Sequence, residues 1–540
     1  MSPKHGRSRQ AVMSAPVRDA RRLIRFFAQP ASYPHPADAV QRRETHVSQV
    51  FLAGAFAYKV KKPVHFPFLD ASTLAFRKKW CRLETSLNRR LAPNLYLGVV
   101  PVVETPRGLR LGGKGRVVEW AVKMRRLPEE RMLDQCLARR QVSRRAMTAV
   151  ADVLFRFFRR AARRKAIDRY GAPRQVEALV LGNLRECEPF VGRLLPEADR
   201  ALLEEAYRQF LVLQEPLLAR RVQEGRVIDG HGDLRCENIC MTSPVTIFDC
   251  VEFQPAFRCG DLVNDFSFLI MDLELRGRRD LADALVARYR RTMRDPTCDV
   301  VLPFYQCHRS LVRGKVRGLA WLQHPHSPEG RRVRALSRRH FRLAVEYARR
   351  FSKPRLIAVG GMIGTGKSTL ARSLARAFGA AWLRTDEIRL REFADRRRPD
   401  QGFAAGLYAP QVSEQVYQRL MQRAEAVVAR GRSVVCDGMF AKQAGREALR
   451  RIAARHHASF HFFECVAPKG TALHRMSRRL AARTDLSEAR PDHYERLLAE
   501  FEPAQGRRPS WWTRLATTAA PERVCQTAVA TLRRAWVSSA

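Results

Sequence analysis

The chain has 540 residues, a formal net charge of +46 and 46% hydrophobic residues. This length is too great for one compact core and indicates roughly two to four domains, and the balance of apolar and charged residues excludes a disordered chain. No apolar run is long enough for a transmembrane helix, and the basic N-terminus lacks the apolar segment of a secretory signal. The dispersed cysteines suit a reducing compartment, so we expect a cytoplasmic protein without a membrane partner.

The excess positive charge has two interpretations. It can indicate a polyanion partner such as nucleic acid, or it can reflect an arginine-rich composition. Arginine is spread over both halves of the chain, and runs such as 159–165 lie on helical patterns where they can form a solvated face. We favour the second interpretation, because a nucleic-acid surface usually clusters its charge and interleaves aromatic residues.

The first part of the chain predicts strands followed by helices. In chain order the segments are a flexible basic tail (1–18), a helix (19–29), two strands around a turn at Gly54 (47–62), a turn and long helix (67–92), further strands (94–105 and 115–127, separated by RGLRLGGKG), helices (129–225), two short strand-like segments (226–230 and 246–253) and helices again (261–350). Ser72 or Thr73 is the expected N-cap of the long helix. This segregation is typical of an α+β fold.

The pattern changes near residues 351–356, where a proline-marked junction precedes the strand LIAVGG. From there strands alternate with helices, which predicts an α/β domain with a parallel sheet. We therefore expect a first domain over residues 19–350 and a second over residues 354–535.

The second domain opens with a phosphate-binding loop. Residues 361–368 fit G-x-x-x-x-G-K-[ST] between a predicted strand and a predicted helix. Glycines let successive backbone N–H groups point at one phosphate chain, the helix N-terminus adds partial positive charge, and the serine hydroxyl ligates Mg²⁺. The residues that we assign to ATP are Gly361, Gly364, Thr365, Gly366, Lys367, Ser368 and Thr369, with Ser368 also on the metal.

Two carboxylates follow at predicted strand ends. Asp437, in SVVCDGM, can hold the magnesium or its waters as a Walker B acid does. Asp386, in LRTDEIR, can accept the proton of an attacking hydroxyl, and Arg389 can position a substrate anion. The helix HRMSRRLAARTDLSEA has Arg475, Arg479 and Arg483 on one face, and we predict that Arg479 and Arg483 contact the nucleotide phosphates.

The first domain carries a second phosphate-transfer pattern in HGDLRCENICMTSPVTIFD, residues 231–249. Asp233 and Asn238 are spaced as in a protein-kinase-type catalytic loop, and Asp249 follows an apolar strand. One aspartate in such a loop lies beside the acceptor hydroxyl, while the asparagine and the second aspartate hold the metals. We assign Asp233 as the base and Asn238 and Asp249 as metal ligands, with His231 packed under the loop.

Such a loop requires a lysine for the nucleotide phosphates and a glutamate that holds the lysine. Lys59 and Glu84 have the expected positions. Lys61 is the alternative to Lys59, since both point to the same face of the strand, and residues 119–128 have the pattern of a hinge. Asp261 and Asp265 are expected to brace the loop or cap a helix.

Both halves resemble known families. The segments GGMIGTGKST, LRTDEIR, VVCDGMF and the arginine helix resemble P-loop kinases related to the zeta-toxin, gluconate kinase and polynucleotide kinase families. The segments THVSQVFL, AYKVKKPV, NRRLAPNLYLGVVP, HGDLRCENI and IFDCVEFQPAFRCGDLVND resemble the aminoglycoside phosphotransferase family, and more closely a group in which such a domain is fused to that P-loop kinase. The resemblance implies a protein-kinase-like fold, ATP, Mg²⁺ and phosphoryl transfer, but not an antibiotic substrate. Arg235 departs from the phosphotransferases, which commonly have histidine there.

The sequence thus predicts an ATP-dependent phosphotransferase with two nucleotide sites and hydroxyl acceptors, most simply small molecules. Two alternatives stay open: a polynucleotide-end kinase, favoured by the charge, and an ATP sensor in which one site binds without transfer. Antibiotic modification is a weaker alternative, because acceptor pockets for polycations are usually acidic.

Overall fold

A computed structural model describes residues 17–45, 47–66, 69–396, 406–482, 491–503 and 508–537. The chain forms two compact units, each from two stretches of sequence: Met1–Gln175 with Arg221–Arg309, and Val176–Arg220 with Ser310–Ala540. The predicted junction near residue 351 coincides with the end of one helix and the start of one strand, but the units divide elsewhere. The ranges 19–350 and 354–535 stay a prediction, and the proposed tail (1–18) lies outside the described residues except for positions 17 and 18.

The elements up to residue 351 are, in chain order, α1 (Val17–Ala28), β1 (Val40–Glu44), β2 (Ser48–Ala53), β3 (Phe56–Lys61), β4 (His65–Phe66), β5 (Leu69–Asp70), α2 (Leu74–Asn88), β6 (Tyr96–Thr105), β7 (Gly108–Leu111), β8 (Arg116–Arg125), α3 (Leu133–Ala138), α4 (Arg144–Arg160), α5 (Lys165–Asp168), α6 (Pro173–Arg185), α7 (Glu197–Gln223), β9 (Val227–Asp229), β10 (Ile239–Cys240), β11 (Thr246–Ile247), α8 (Pro255–Arg258), β12 (Cys259–Asp261), α9 (Leu262–Leu275), α10 (Arg279–Met293), α11 (Cys298–Gln323) and α12 (Pro328–Phe351).

The remaining elements are β13 (Arg355–Gly361), α13 (Lys367–Phe378), β14 (Ala381–Arg384), α14 (Thr385–Glu392), α15 (Pro410–Ala429), β15 (Val434–Asp437), α16 (Gln443–Arg455), β16 (Ser459–Val466), α17 (Lys469–Ala482), α18 (Tyr494–Ala499), β17 (Trp512–Ala516) and α19 (Pro521–Val537).

The first unit contains an antiparallel sheet in the order β1-β2-β3-β8-β6-β7. Alternate residues of β2 and β3 serve opposite faces, as the strand period requires. Phe51 and Tyr58 pack with Phe27 of α1 on one face, and Leu52 pairs with Ala57 on the face that packs with α2. Helix α2 begins where the Thr73 side chain accepts the Phe76 N–H, so the expected N-cap is Thr73. This half has the predicted α+β, protein-kinase-like fold.

Two local predictions in this unit were wrong. The separator RGLRLGGKG contains a strand, β7, which pairs with β6. The strand expected over 246–253 is only two residues long, β11. It ends because Asp249 adopts a left-handed backbone conformation with φ of 66°, which a continuing strand cannot accommodate.

The second unit contains a parallel sheet in the order β14-β15-β13-β16-β17, and this half has the predicted α/β P-loop fold. Helices cover both faces of the sheet, as parallel sheets require. One face packs on α13 and α19, and the other packs on α15 and α16. The core of the first face also includes Leu213 of α7, which the sequence pattern had assigned to the first domain.

Helix α7 is also tied to the start of two sheet strands by buried polar contacts. Glu205 Oε1 accepts the Ser433 N–H at 2.5 Å, and the Ser433 hydroxyl accepts both the Gln209 side-chain amide and the Arg355 N–H at 2.8 Å. Buried polar groups must be satisfied in this way, so this part of α7 is integral to the second unit.

All twelve cysteines lie in the described part of the chain, and none of them forms a disulfide. Over the same described ranges, no helix combines the length and apolarity needed to cross a bilayer.

Candidate functional site

The first site is centred on Lys59 in β3. Its Nζ lies 2.8 Å from Glu84 Oε1 and 2.6 Å from Asp249 Oδ1, which joins the sheet, helix α2 and the segment after β11. Burial alone would lower the pKa of Lys59, but the Asp249 and Glu84 carboxylates raise this pKa well above its ordinary value. The three predicted residues are therefore assembled around one permanently charged ammonium.

A second lysine shares the same glutamate. Lys61 Nζ lies 2.6 Å from Glu84 Oε2 and also pairs with Glu252. The Lys61 side chain is only 2% exposed, whereas that of Lys59 is 12% exposed. Burial acts to raise the pKa of Glu84, but the two lysines lower it to about 2. Lys59, which also contacts Asp249, is the better placed of the two to meet a nucleotide.

The predicted catalytic loop is held by buried hydrogen bonds. The Asp265 carboxylate accepts the N–H of His231 at 2.7 Å and the N–H of Gly232 at 2.8 Å. The His231 ring nitrogen Nε2 lies 2.9 Å from the carbonyl oxygen of Phe248, and burial lowers the pKa of this histidine. A neutral His231 thus links the loop to β11, and Asp265 braces the loop as expected.

Asp233 is clamped by its neighbours. Arg235 donates from Nε to Asp233 Oδ1 at 2.8 Å and from Nη2 to Oδ2 at 2.9 Å, the bidentate geometry that a guanidinium prefers. The Asn238 amide nitrogen donates to the Asp233 carbonyl oxygen at 2.8 Å and to its Oδ2 at 3.1 Å. The residue that departs from the phosphotransferase pattern therefore contacts the proposed base directly.

The groups at this site suit a magnesium ion. The Asn238 amide nitrogen donates to Asp233, so the amide oxygen of Asn238 is not engaged by that residue. The Asp249 side chain is 41% exposed. Carboxylate and amide oxygens are ligands that Mg²⁺ accepts.

A buried ion network joins α7, β12 and the segment between α10 and α11. Arg221 donates to Asp261 at 2.6 and 2.8 Å and to Asp295 at 2.7 and 2.9 Å, and all three side chains are buried. Asp261 also accepts the Val263 N–H and so caps α9. This aspartate is structural, in agreement with the sequence interpretation.

The second site is built mainly from backbone. Gly361, Gly364 and Gly366 have φ values of 121°, 74° and 84°, a region that favours glycine. A Cβ on Gly361 would lie 2.3 Å from the Cys465 carbonyl oxygen, and one on Gly364 would lie 2.4 Å from that of Ala472. The loop therefore needs glycine both for its conformation and for its close packing, and it leads directly into α13.

Lys367 and Asp437 form the charged centre of this loop. Lys367 Nζ donates to the Met362 carbonyl oxygen at 2.7 Å, and burial lowers the pKa of Lys367 despite the nearby Asp437 carboxylate. Burial raises the pKa of Asp437 to about 6, although a hydrogen bond to Ser368 and the charge of Lys367 oppose the shift. A serine hydroxyl paired with a strand-end aspartate suits a hydrated magnesium ion.

The proposed base of the second site lies close to this centre. Asp386 is in the first turn of α14, and its charge influences the pKa values of both Lys367 and Asp437. Arg389 is buried, donates from Nη1 to the Leu407 carbonyl oxygen and the Ser413 hydroxyl, and stacks on Tyr408. Arg389 thus holds the segment before α15, a role that the sequence did not predict.

The arginine helix is α17. Arg475 Nη2 donates to the Thr517 carbonyl oxygen at 2.8 Å, and the Thr517 hydroxyl donates to the Thr365 carbonyl oxygen at 2.6 Å. Arg479 acts on the pKa of Lys367 and so lies near the loop. Arg483 lies outside the described residues, and its contact with the nucleotide stays a prediction.

Sequence reasoning missed Thr517 and Glu252 and did not foresee the role of Arg235. Thr517 follows β17 at the edge where parallel-sheet sites form, so its position offered a signal. Glu252 offered none, because its partner Lys61 is 191 residues away.

The family is decided by a long alignment to mycobacterial proteins. Uncharacterized protein Rv2004c of Mycobacterium tuberculosis is 33% identical over 452 residues, which cover 82% of this chain and 87% of that protein. Uncharacterized protein Mb2027c of Mycobacterium bovis matches to the same extent. The chain belongs to the Rv2004c family.

The Rv2004c-family chain also matches the AAA_33 family of AAA domains over residues 356–504, the part that holds the P-loop. This match confirms the P-loop part of the fusion that the sequence predicts.

Solved structures cover each part separately. A choline/ethanolamine kinase family protein from Mesorhizobium loti is 15% identical and covers 61% of this chain and 99% of its own, with a TM-score of 0.35. A gluconokinase from Sinorhizobium meliloti is 16% identical and covers 35% of this chain and 95% of its own, with a TM-score of 0.28. At these TM-scores neither structure bears on the function of this chain, and the functional argument rests on the geometry of the two sites.

Proposed function

We propose that this chain is an ATP-dependent phosphotransferase with two nucleotide sites, each of which transfers the γ-phosphate of ATP to a hydroxyl group of a small molecule. The observation that carries the proposal is the position of Lys59 between Glu84 and Asp249. This arrangement is the phosphate-holding part of a kinase-type site, and it occurs in a chain that also has a complete P-loop.

In the first site Asp233 takes the proton of the acceptor hydroxyl while the hydroxyl oxygen attacks the γ-phosphorus and ADP leaves. Arg235 holds the Asp233 carboxylate in one orientation, and each carboxylate oxygen has a further lone pair for the proton. Lys59 is placed to hold nucleotide phosphates, and Glu84 orients Lys59. Asn238 and Asp249 would hold the magnesium, which when bound neutralises the phosphate charge.

In the second site the backbone N–H groups of residues 361–368 and the Lys367 ammonium hold the phosphates. Asp386 accepts the proton of a second acceptor. Ser368 and Asp437 would hold a magnesium ion that serves the same purpose as in the first site. The acceptor at each site is a compound with a hydroxyl group.

A polynucleotide-end kinase is the second candidate, because helix α12 presents exposed arginines that have no carboxylate partner within the described ranges. They are Arg331, Arg332, Arg334, Arg338, Arg339, Arg342 and Arg349. Guanidinium groups suit phosphate backbones, and binding of this kind falls steeply with salt. Antibiotic modification has no comparable support.

The test uses purified protein, Mg²⁺ and γ-labelled ATP with a metabolite extract and, separately, oligonucleotides. Wild type is compared with Asp233→Asn and Lys367→Ala. We expect two labelled small-molecule products, and each variant should lower one of them by a factor of about 100 or more while leaving the other unchanged.

Other outcomes point to the alternatives. Label that appears only on oligonucleotide ends and disappears with Lys367→Ala would favour the end kinase. ATP binding without transfer to any acceptor would favour a sensor and overturn the proposal.

A further inference from the structure

The second unit contains a cavity of about 440 Å³ that is distinct from the P-loop. Helix α7 contributes Arg200 and Arg208, helix α13 contributes Arg372 and Arg376, and Arg432 precedes β15. Glu204 is the acidic residue in this lining. The volume is in the range of small-molecule sites, and the lining is strongly cationic.

The arginines exceed the carboxylates that could neutralise them. Arg200 and Arg208 share Glu204, and Arg200 Nε also lies 3.3 Å from Glu188 Oε2. Arg432 Nε pairs with Glu205 Oε2 at 2.7 Å. Within the described part of the chain, Arg372 and Arg376 have no carboxylate partner. The five guanidinium groups of the cavity therefore have three carboxylate partners, which leaves an excess of two positive charges.

The dipole of α13 accounts for only part of this excess. Arg376 is in the last turn of α13, where the helix dipole favours a cation. Arg372 lies a turn earlier and is placed over Trp382, 5.8 Å from the ring centroid. Like charges that converge on one cavity repel each other, and the guanidinium fork matches phosphate oxygens.

The cavity is also separated from the nucleotide site. Residues Gly379 and Ala380, at the C-terminal end of α13, line it, whereas the P-loop lies at the N-terminal end of the same helix. Along the axis of α13, the cavity residues lie from about 7 Å (Arg372) to about 18 Å (Gly379) beyond Lys367. The cavity therefore extends away from the P-loop toward the other end of the helix.

We propose that this cavity is a second anion site that binds a small molecule with two or more adjacent phosphate groups. The proposal does not depend on phosphotransferase activity. The same chemistry is found in inorganic polyphosphate and in the phosphate chain of a nucleotide, and the experiment distinguishes these two sources.

The test titrates the full-length protein with tripolyphosphate in a calorimeter and compares Arg372→Ala/Arg376→Ala with wild type. We expect binding to be weakened at least about tenfold in this double variant. Both arginines are exposed, so thermal unfolding should be unchanged. ADP in place of tripolyphosphate shows whether a nucleoside is tolerated.

Two control variants test whether tripolyphosphate binds in the cavity rather than at another site. Arg339→Ala/Arg342→Ala removes the same charge from the exposed face of α12 in the same unit, and Lys367→Ala removes the P-loop lysine. Both controls should bind tripolyphosphate in the cavity as tightly as wild type does.

Three results would overturn the proposal. Equal weakening in the α12 control would show an effect of net charge alone. Loss of all tripolyphosphate binding in Lys367→Ala would place the ligand on the P-loop. Wild-type binding that is no tighter for tripolyphosphate than for orthophosphate would show that the cavity does not recognise adjacent phosphates.

Discussion

The two lysines that we propose to hold phosphates have opposite environments. Lys59 is held by two carboxylates that raise its pKa, whereas burial lowers the pKa of Lys367, which donates to a backbone carbonyl oxygen. In the first site the positive charge of Lys59 is neutralised by carboxylates of the protein itself. In the second site the positive charge of Lys367 is suited to an anionic ligand.

The comparison shows two ways to build a phosphate site. In the first unit the ion pairs are part of the core, so the residues that we propose to bind nucleotide also stabilise the fold. In the second unit the glycine loop provides the geometry, and its charged residues stabilise the ligand rather than the protein. Mutations of the charged residues should therefore lower stability in the first unit, whereas in the second unit they should lower ligand binding without lowering stability.

The largest expected effect on stability is that of Glu84→Ala. This change leaves the buried ammoniums of Lys59 and Lys61 without their shared carboxylate, and breaking a buried pair costs about 3–5 kcal/mol. Urea unfolding should show this loss in the free energy of unfolding. Lys367→Ala is the control, and it should leave that free energy nearly unchanged. Equal effects of the two changes would contradict the comparison.

A smaller effect of opposite sign is expected for Asp437→Asn. Burial raises the pKa of Asp437 from 3.8 to about 6, which corresponds to about 3 kcal/mol. The stability that the neutral carboxyl contributes is complete below about pH 4 and is lost as the pH rises through about 6. The asparagine variant should thus unfold at a higher temperature than wild type above pH 6 and at a similar temperature near pH 4.

The same Asp437→Asn variant is also assayed for phosphoryl transfer at the second site. Asp437→Asn should lower Lys367-dependent transfer by a factor of about 100, so that stability is gained where function is lost. A difference in unfolding temperature that does not change with pH would show that ionisation of Asp437 is not its cause.

The smallest effect is expected for Arg235→His, which restores the residue common in the related phosphotransferases. Loss of the bidentate cation makes the Asp233 carboxylate more basic, so the acid limb of the profile of kcat/KM against pH should move to higher pH. The rate at neutral pH should change by less than a factor of about 10, or about 1.4 kcal/mol.

Arg139→His, at an exposed position, is the matched control and should leave the profile in place. An unchanged profile for Arg235→His would show that the clamp does not influence proton transfer.

The sequence was most informative where the functional residues are neighbours along the chain. The P-loop could be recognised because its glycines, lysine and serine lie within one turn between a strand and a helix. The α+β and α/β patterns followed from residue periodicity, and Thr73 was identifiable as a cap because N-capping is local.

Features that depend on contacts between residues far apart in the sequence could not be predicted from local patterns. The short β11 depends on the left-handed backbone of Asp249, which the apolar run TIFDCVEF conceals. The Lys61–Glu252 pair and the bond from Thr517 to the P-loop join residues 191 and 152 positions apart. No single-sequence pattern indicates such pairings.

The place of α7 in the second unit has a consequence for synthesis on the ribosome. Arg533 of α19 donates to the carbonyl oxygen of Val212, 321 residues earlier, and Leu213 shares a core cluster with Leu532. At roughly 5–20 residues per second, the apolar side of α7 waits roughly 15–60 s for its last partners to be translated. The nascent chain therefore exposes the apolar side of α7 to solvent during most of its elongation.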